Sequence, residues 1–143
     1  MIIRKGMAED LPALQDLLLE VSMGDGVNPE DFLVAEETGA LAGAVCLQRY
    51  GACAYVRAMA VHDRWRGQGV GRQLVEELLS GQDQVKVVAR GSAVPFYRKM
   101  GFRTIAWDTV DPEVSQECAQ CPDVAACHPE PMLFERSASD RHN

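Results

Sequence analysis

The period of the apolar positions changes several times along the chain, and each change marks an element. Ile2 to Arg4 reads as a short strand. From Ala8-Glu9-Asp10 onward, Leu11, Leu14, Leu17, Leu18 and Val21 recur at helical spacing. Gly24 to Pro29 breaks that pattern. Phe32 to Glu36 and Leu41 to Gln48 are strand-like runs joined by Glu37-Thr38-Gly39-Ala40, which predicts a hairpin. A turn at Tyr50-Gly51 leads into Ala52 to Val61, an apolar run expected of a buried strand. The Gly-rich segment Arg66 to Gly71 then passes into a helical pattern with Val70, Leu74, Val75, Leu78 and Leu79 on one face, ended by Ser80-Gly81. Val85 to Ala89 is a β-branched strand, Ala93 to Met100 a short helix stopped by Gly101, and Phe102 to Trp107 another strand.

The predicted order is β-α-β-β-β-α-β-α-β. The strand–helix–strand passages around residues 56–89 and 85–107 imply crossovers in a mixed sheet, hence an α/β (α+β) fold. Asp108 to Pro131 holds four prolines, three cysteines and several acids and is expected to be irregular, with Met132 to Glu135 returning as a last strand. The reading is one domain over residues 1–136 and a polar tail over 137–143.

A chain of 143 residues buries enough surface to need no staple in principle. No apolar run approaches the roughly 20 residues of a membrane helix, and the first residues lack a signal peptide's apolar core, so a cytoplasmic location is expected and no membrane partner. The net charge of −7 argues against nucleic acid as the main partner, since phosphates need a basic surface. It leaves room for a phosphorylated ligand held by a local cluster of amides and Arg. It favours a cationic substrate no more than it favours a merely soluble acidic surface. Five cysteines, an odd number, argue against a disulfide framework, and Cys46 and Cys53 sit in apolar runs as small core residues.

The segment with most chemistry is Val61-His62-Asp63-Arg64-Trp65-Arg66-Gly67-Gln68-Gly69-Val70-Gly71-Arg72, between a buried strand and an amphipathic helix. Gly69 and Gly71 let backbone approach a ligand. The amides of Gly67 to Gly71 fall where a helix begins, and its first N–H groups have no partner within the helix. Such an end binds phosphate or pyrophosphate, with Arg66 and Arg72 placed to add charge-assisted bonds. A Gly-rich turn that merely eases strand-to-helix packing is the competing reading. Neither the P-loop, which needs Gly-Lys-Ser/Thr, nor the dinucleotide fingerprint Gly-x-Gly-x-x-Gly fits.

Arg66-Gly67-Gln68-Gly69-Val70-Gly71 resembles the acetyl-CoA motif of the GNAT N-acetyltransferase family, Arg/Gln-x-x-Gly-x-Gly/Ala. Ala93-Val94-Pro95-Phe96-Tyr97-Arg98-Lys99-Met100-Gly101-Phe102 resembles that family's Ala-x-x-Phe-Tyr-x-x-x-Gly-Phe segment. The likeness covers roughly residues 2–107. It implies a GNAT fold, with a mostly antiparallel central sheet flanked by helices and an irregular Cys-containing C-terminal segment. It also implies acetyl-CoA as acetyl donor and transfer to an amine by direct attack on the thioester. Main-chain groups at Met59, Ala60 and Val61 are then expected to pair with pantetheine, and Arg66, Gly67, Gln68, Gly69, Val70, Gly71 and Arg72 to hold the pyrophosphate. Tyr97 is expected as general acid toward the departing sulfur, against the alternative of a packed ring with one structural hydrogen bond. Many relatives carry Asn at the position of Arg90, three residues before Ala93, where it helps hold the pantetheine arm. Candidates for a general base are Glu36, Glu37, His62, Asp63 or a bound water.

Cys118-x-x-Cys121-x5-Cys127-His128 has thiols spaced to share a Zn²⁺, with His62, His142 or water as other fourth ligands. Adjacency of Cys127 and His128 and the short span oppose a metal site, and reduced thiols pinning a tail are the alternative. Cys118-x-x-Cys121-Pro122 with Cys127 and Pro131-Met132 is similar to the C-terminal segment of short N-acetylglutamate synthases, which implies a small, amino-acid-like acceptor. That family's acidic residue after the third Cys is replaced here by His128. Two other readings stay open: a catalytically silent acyl-CoA-binding regulator, and a metal- or redox-sensing module built on the cysteine tail. A protein N-terminus as acceptor and a homodimer through Met132 to Glu135 are further expectations.

Overall fold

The computed structural model describes residues 1–19, 28–121 and 124–136. Val21, the break at residues 24–27, Pro122, His142 and the tail 137–143 lie outside the described residues. The chain divides into two compact units, Met1–Gln48 with Val56–Gly81, and Arg49–Tyr55 with Gln82–Asn143.

The first unit holds strands β1 (Ile2–Lys5), β2 (Phe32–Glu37) and most of β3 (Ala40–Tyr50) and β4 (Cys53–Val61), in the order β1-β2-β3-β4. The β1–β2 and β2–β3 pairings are antiparallel. Thr38 and Gly39 both have positive φ, 49° and 84°, the backbone of a tight two-residue hairpin turn. Helix α1 (Leu11–Leu19) turns Leu14, Leu17 and Leu18 onto Phe32, Val34, Ala44, Cys46 and Ala60. Helix α2 (Val70–Leu79) buries all five apolar residues of its stripe. Each contributes roughly 2 kcal/mol. Gly43 of β3 lets α2 lie close: a Cβ there would stand 3.0 Å from the Ala60 carbonyl oxygen and from Val70 Cγ1. The first turn of α2 is thereby pinned to the strands that precede it.

In the second unit, β5 (Gln84–Ala89), β7 (Glu130–Glu135) and β6 (Arg103–Thr104) run in the order β5-β7-β6, with both pairings antiparallel. β5 and β6 are therefore parallel, with β7 between them, and helix α3 (Val94–Lys99) makes the expected crossover. The tip of the β3–β4 hairpin, Arg49–Tyr55, belongs to this unit. There Tyr55 packs with Val110 and Val114, and its hydroxyl accepts from the Asp111 amide at 2.9 Å. Seven strands with their helices make the mixed, mostly antiparallel α/β fold expected from the sequence.

Two expectations are corrected. The strand expected over Phe102 to Trp107 shrinks to Arg103–Thr104. Ile105 N donates to Pro131 O at 3.0 Å, but proline has no N–H to return the bond, so the ladder stops there. Asp108 to Pro131 is not irregular throughout but contains helix α4 (Pro112–Ala119) and the single turn α5 (Val124–Cys127). Asp111 caps α4 by accepting from the Glu113 amide, and Pro112 occupies its first position.

Candidate functional site

The loop after β4 is built from local bonds. His62 N donates to Ala42 O at 2.8 Å, and His62 Nδ1 accepts from the Arg64 amide. Asp63–Trp65 form a 3-10 turn closed by Trp65 N donating to His62 O. Arg66 Nε donates to Val61 O at 3.2 Å while its guanidinium pairs with Asp63 at 3.0 Å. Gln68 Nε2 donates to Arg64 O. These bonds hold the loop from behind, through side chains and the residues before Gly67.

The amides that follow are left over. Gly67 and Gly69 have φ of 77° and 83°, a conformation that favours glycine, and a Cβ at either would meet nothing within 4 Å. The first bond into α2 runs from Gln73 N to Gly69 O. Among the described residues no protein carbonyl accepts from the amides of Gly67, Gln68, Gly69, Val70, Gly71 or Arg72. Gly69 caps α2 with no side-chain bond, and the first turn carries no acidic residue. Most helices answer this end with Ser, Thr, Asp or Asn. Here a row of donors and the positive dipole end lack a protein acceptor, the arrangement that takes an anion. Gly71 packs the other way, its Cα face 3.6 Å from Val61 Cγ2 and 3.7 Å from the Met59 thioether for an added Cβ. The fold thus brings Met59, Ala60, Val61 and the loop into one unit. Arg66 and Arg72 do not point at empty space: Arg72 bonds Glu76 at 2.9 Å. Both pairs are exposed, and such pairs hold by only ~0–1 kcal/mol, so an incoming phosphate can exchange for either.

Glu36 and His62 line a cavity of about 680 Å³ in the same unit, with Arg4, Asp10 and Asp16. Arg4 dominates it, bonding Asp10 at 2.8 and 2.9 Å and Glu36 at 2.9 Å. The Arg4 bond holds the Asp10 carboxyl below its usual range, helped by the Met7 amide. Of the other base candidates, Glu37 pairs with the N-terminal amine and Asp63 with Arg66. Nothing in the sequence pattern marked Arg4 and Asp10, because their partners come from different elements.

Tyr97 lies in the second unit, on α3. Its ring stands edge-on to Phe96 and Phe102, with centroids 5.1 and 5.2 Å away. Gly101, at φ 99°, ends α3, and Phe102 N reaches back to Tyr97 O at 3.0 Å. This is the six-to-one bond of a Schellman cap, and it explains the Gly-Phe pair of the motif. Burial pushes the Tyr97 phenol up to about 12. No hydrogen bond to its hydroxyl forms among the described residues. Among those residues, too, no group of three or more His, Cys, Asp or Glu side chains is placed to hold a metal ion.

The family described as acetyltransferase (GNAT) domain matches residues 28–104. An uncharacterised N-acetyltransferase of Chlorobaculum tepidum is 32% identical over 103 residues, 68% of this chain and 65% of that protein. The N-acetylglutamate synthase of Neisseria gonorrhoeae, solved with coenzyme A and N-acetyl-glutamate, superposes with a TM-score of 0.78 at 15% identity. That match covers 94% of this chain, which spans only 34% of that one. A Mycobacterium tuberculosis protein solved with CoA gives 0.72 at 21% identity, over 96% of this chain and 100% of that one. At these identities the solved structures establish the fold.

Proposed function

The chain belongs to the GNAT acetyltransferase family, and on that premise we propose that it is an acetyl-CoA-dependent N-acetyltransferase acting on the amine of a small molecule or amino acid. One observation carries the reading: a run of amides from Gly67 to Arg72, at the start of α2, that the protein's own carbonyls leave unpaired. A pyrophosphate is the ligand that fits it. Acetyl-CoA, when bound, supplies the activated acetyl group. The proposal covers a single acetyltransferase domain over residues 1–136, followed by a polar tail over 137–143, working in the cytoplasm.

In this reading Gly67 to Arg72 donate to the phosphate oxygens, and Arg66 and Arg72 exchange their surface carboxylates for them. Backbone at Met59 to Val61 orients the pantetheine arm and points an N–H at the thioester oxygen as it gains charge. Tyr97 donates to the sulfur. Burial pushes its phenol up to about 12, so at neutral pH it is protonated and able to donate. Tyr97 acts as general acid: it gives its proton to the departing sulfur and regains one from solvent, which takes up the amine's proton. The ion pairs at Glu36, Glu37 and Asp63 favour water over these carboxylates as base.

The N-acetyl-glutamate bound by the Neisseria gonorrhoeae enzyme supports an amino acid as acceptor. The test is free-thiol release from acetyl-CoA against a panel of amino acids, polyamines and N-terminal peptides. Turnover with a small amine supports the proposal. Binding of acetyl-CoA without turnover on any amine would make the chain a silent acyl-CoA-binding protein instead.

A further inference from the structure

The acetyltransferase reading leaves the cysteines of the second unit without a task. We propose that Cys118 and Cys121 form a dithiol modification site that low-molecular-weight disulfides convert to an intramolecular disulfide. The structure places the two thiols for it. All five cysteines are thiols here. Cys118 sits in the last turn of α4, and Cys121 follows one turn later, tied by Cys121 N donating to Cys118 O at 3.2 Å. A bond between residues three apart holds their Cα atoms within ~7 Å, and a disulfide needs 4.4–6.8 Å or so.

The two thiols differ in access. Cys121 is exposed, whereas Cys118 is half-buried and lines a cavity of about 550 Å³ with Trp107, Gln116, His128 and Pro129. Helix α4 is anchored at its start by the Asp111 cap and by buried Val114, so Cys118 is carried on a fixed element. Cys121 lies beyond the helix, and Pro122 after it disfavours helical backbone at Cys121. An exposed thiol one turn from a half-buried one gives an attacking and a resolving partner.

The chemistry balances with an external disulfide RSSR as oxidant. The Cys121 thiol gives its proton to solvent, and its thiolate attacks one sulfur of RSSR. That forms Cys121–S–S–R and expels one RS⁻. The Cys118 thiolate, having likewise lost its proton, then attacks Sγ of Cys121. The Cys121–S–S–R bond breaks, the second RS⁻ leaves, and the cysteine pair is oxidised by two electrons while RSSR is reduced to two thiols. Cys127 is the competing partner. It ends α5, and its carbonyl oxygen lies against Gly91, 3.1 Å from where a Cβ would stand.

The test uses the full chain, reduced, desalted and exposed to oxidised glutathione, with intact and peptide mass measurement. Wild type should lose two hydrogens without keeping a glutathionyl group, and the linked peptide should join Cys118 to Cys121. Cys118→Ser should retain one glutathionyl group on Cys121, with a lifetime at least ~tenfold longer than in wild type. Cys127→Ser should behave as wild type, and dithiothreitol should reverse the change. Melting curves of the reduced variants must match wild type, which removes misfolding as the cause. A persistent adduct on wild-type Cys121, a bridge to Cys127, or no reaction at all would each overturn the proposal.

Discussion

Replacing Gln68 by Glu changes the charge of the loop with almost no change of shape. Gln68 is exposed, and its amide makes one bond, Nε2 to Arg64 O at 3.1 Å. Losing that exposed bond costs about 0.5–1 kcal/mol. A carboxylate at the foot of α2, whose first turn has no acid of its own, returns roughly 0.3–1 kcal/mol through the helix dipole. The two nearly cancel, so the melting temperature should stay within ~2 °C. Ligand binding should not cancel. A negative charge ~8 Å from a phosphate, at an effective dielectric constant of ~20, costs about 2 kcal/mol per unit of phosphate charge. That is roughly a thirtyfold loss of affinity. Titration calorimetry with coenzyme A reads it directly, and pantetheine, which lacks the diphosphate, serves as the control. The loss should shrink at high salt, because the loop is open to solvent. Equal affinities of wild type and Gln68→Glu for coenzyme A, or equal losses for coenzyme A and pantetheine, would refute the assignment of the loop.

Gly69→Ala should lower stability by about 1 kcal/mol through backbone strain alone, since φ is 83° and no atom crowds the site; a denaturant midpoint measures it. Tyr97→Phe should keep the ring packing and the fold but cut kcat roughly tenfold to a hundredfold, with little change in KM for acetyl-CoA, as steady-state kinetics would show. Because burial raises the phenol from 10.0 to about 12, it stays protonated in the folded chain while it ionises in the unfolded one, so stability falls as pH rises through that window. Tyr97→Phe should remove that part of the alkaline loss in chemical denaturation. Asp10 is held below its ordinary value, so its contribution is present above about 4 and fades as pH falls through the folded value. Asp10→Asn should cost about 1–3 kcal/mol at neutral pH, since one of the two oxygens that accept from Arg4 and the Met7 amide becomes an NH2 and the charge facing Arg4 is lost, and should flatten the acid limb.

The elements with strong local periodicity were legible in the sequence. Val70, Leu74, Val75, Leu78 and Leu79 define α2 by spacing, and Thr38-Gly39 announced the hairpin. The loop from Arg66 to Arg72 was also legible as a Gly-rich helix start, and the structure adds that no side chain caps it. What escaped depended on partners distant in the chain. The sixth strand stops because Pro131, 26 residues after Ile105, cannot return a bond. The Arg4–Asp10–Glu36 network needs two strands and a turn to meet. Helix α4 was a different miss: Asp111-Pro112-Glu113 is a local start signal, overlooked beside the prolines and cysteines around it.

The most direct measurement is a crystal structure of the chain with coenzyme A. The account predicts diphosphate oxygens within hydrogen-bond distance of the backbone nitrogens from Gly67 to Arg72, with Arg66 or Arg72 turned from its carboxylate to the phosphate. Coenzyme A bound with its diphosphate elsewhere, those nitrogens still facing solvent, would contradict it.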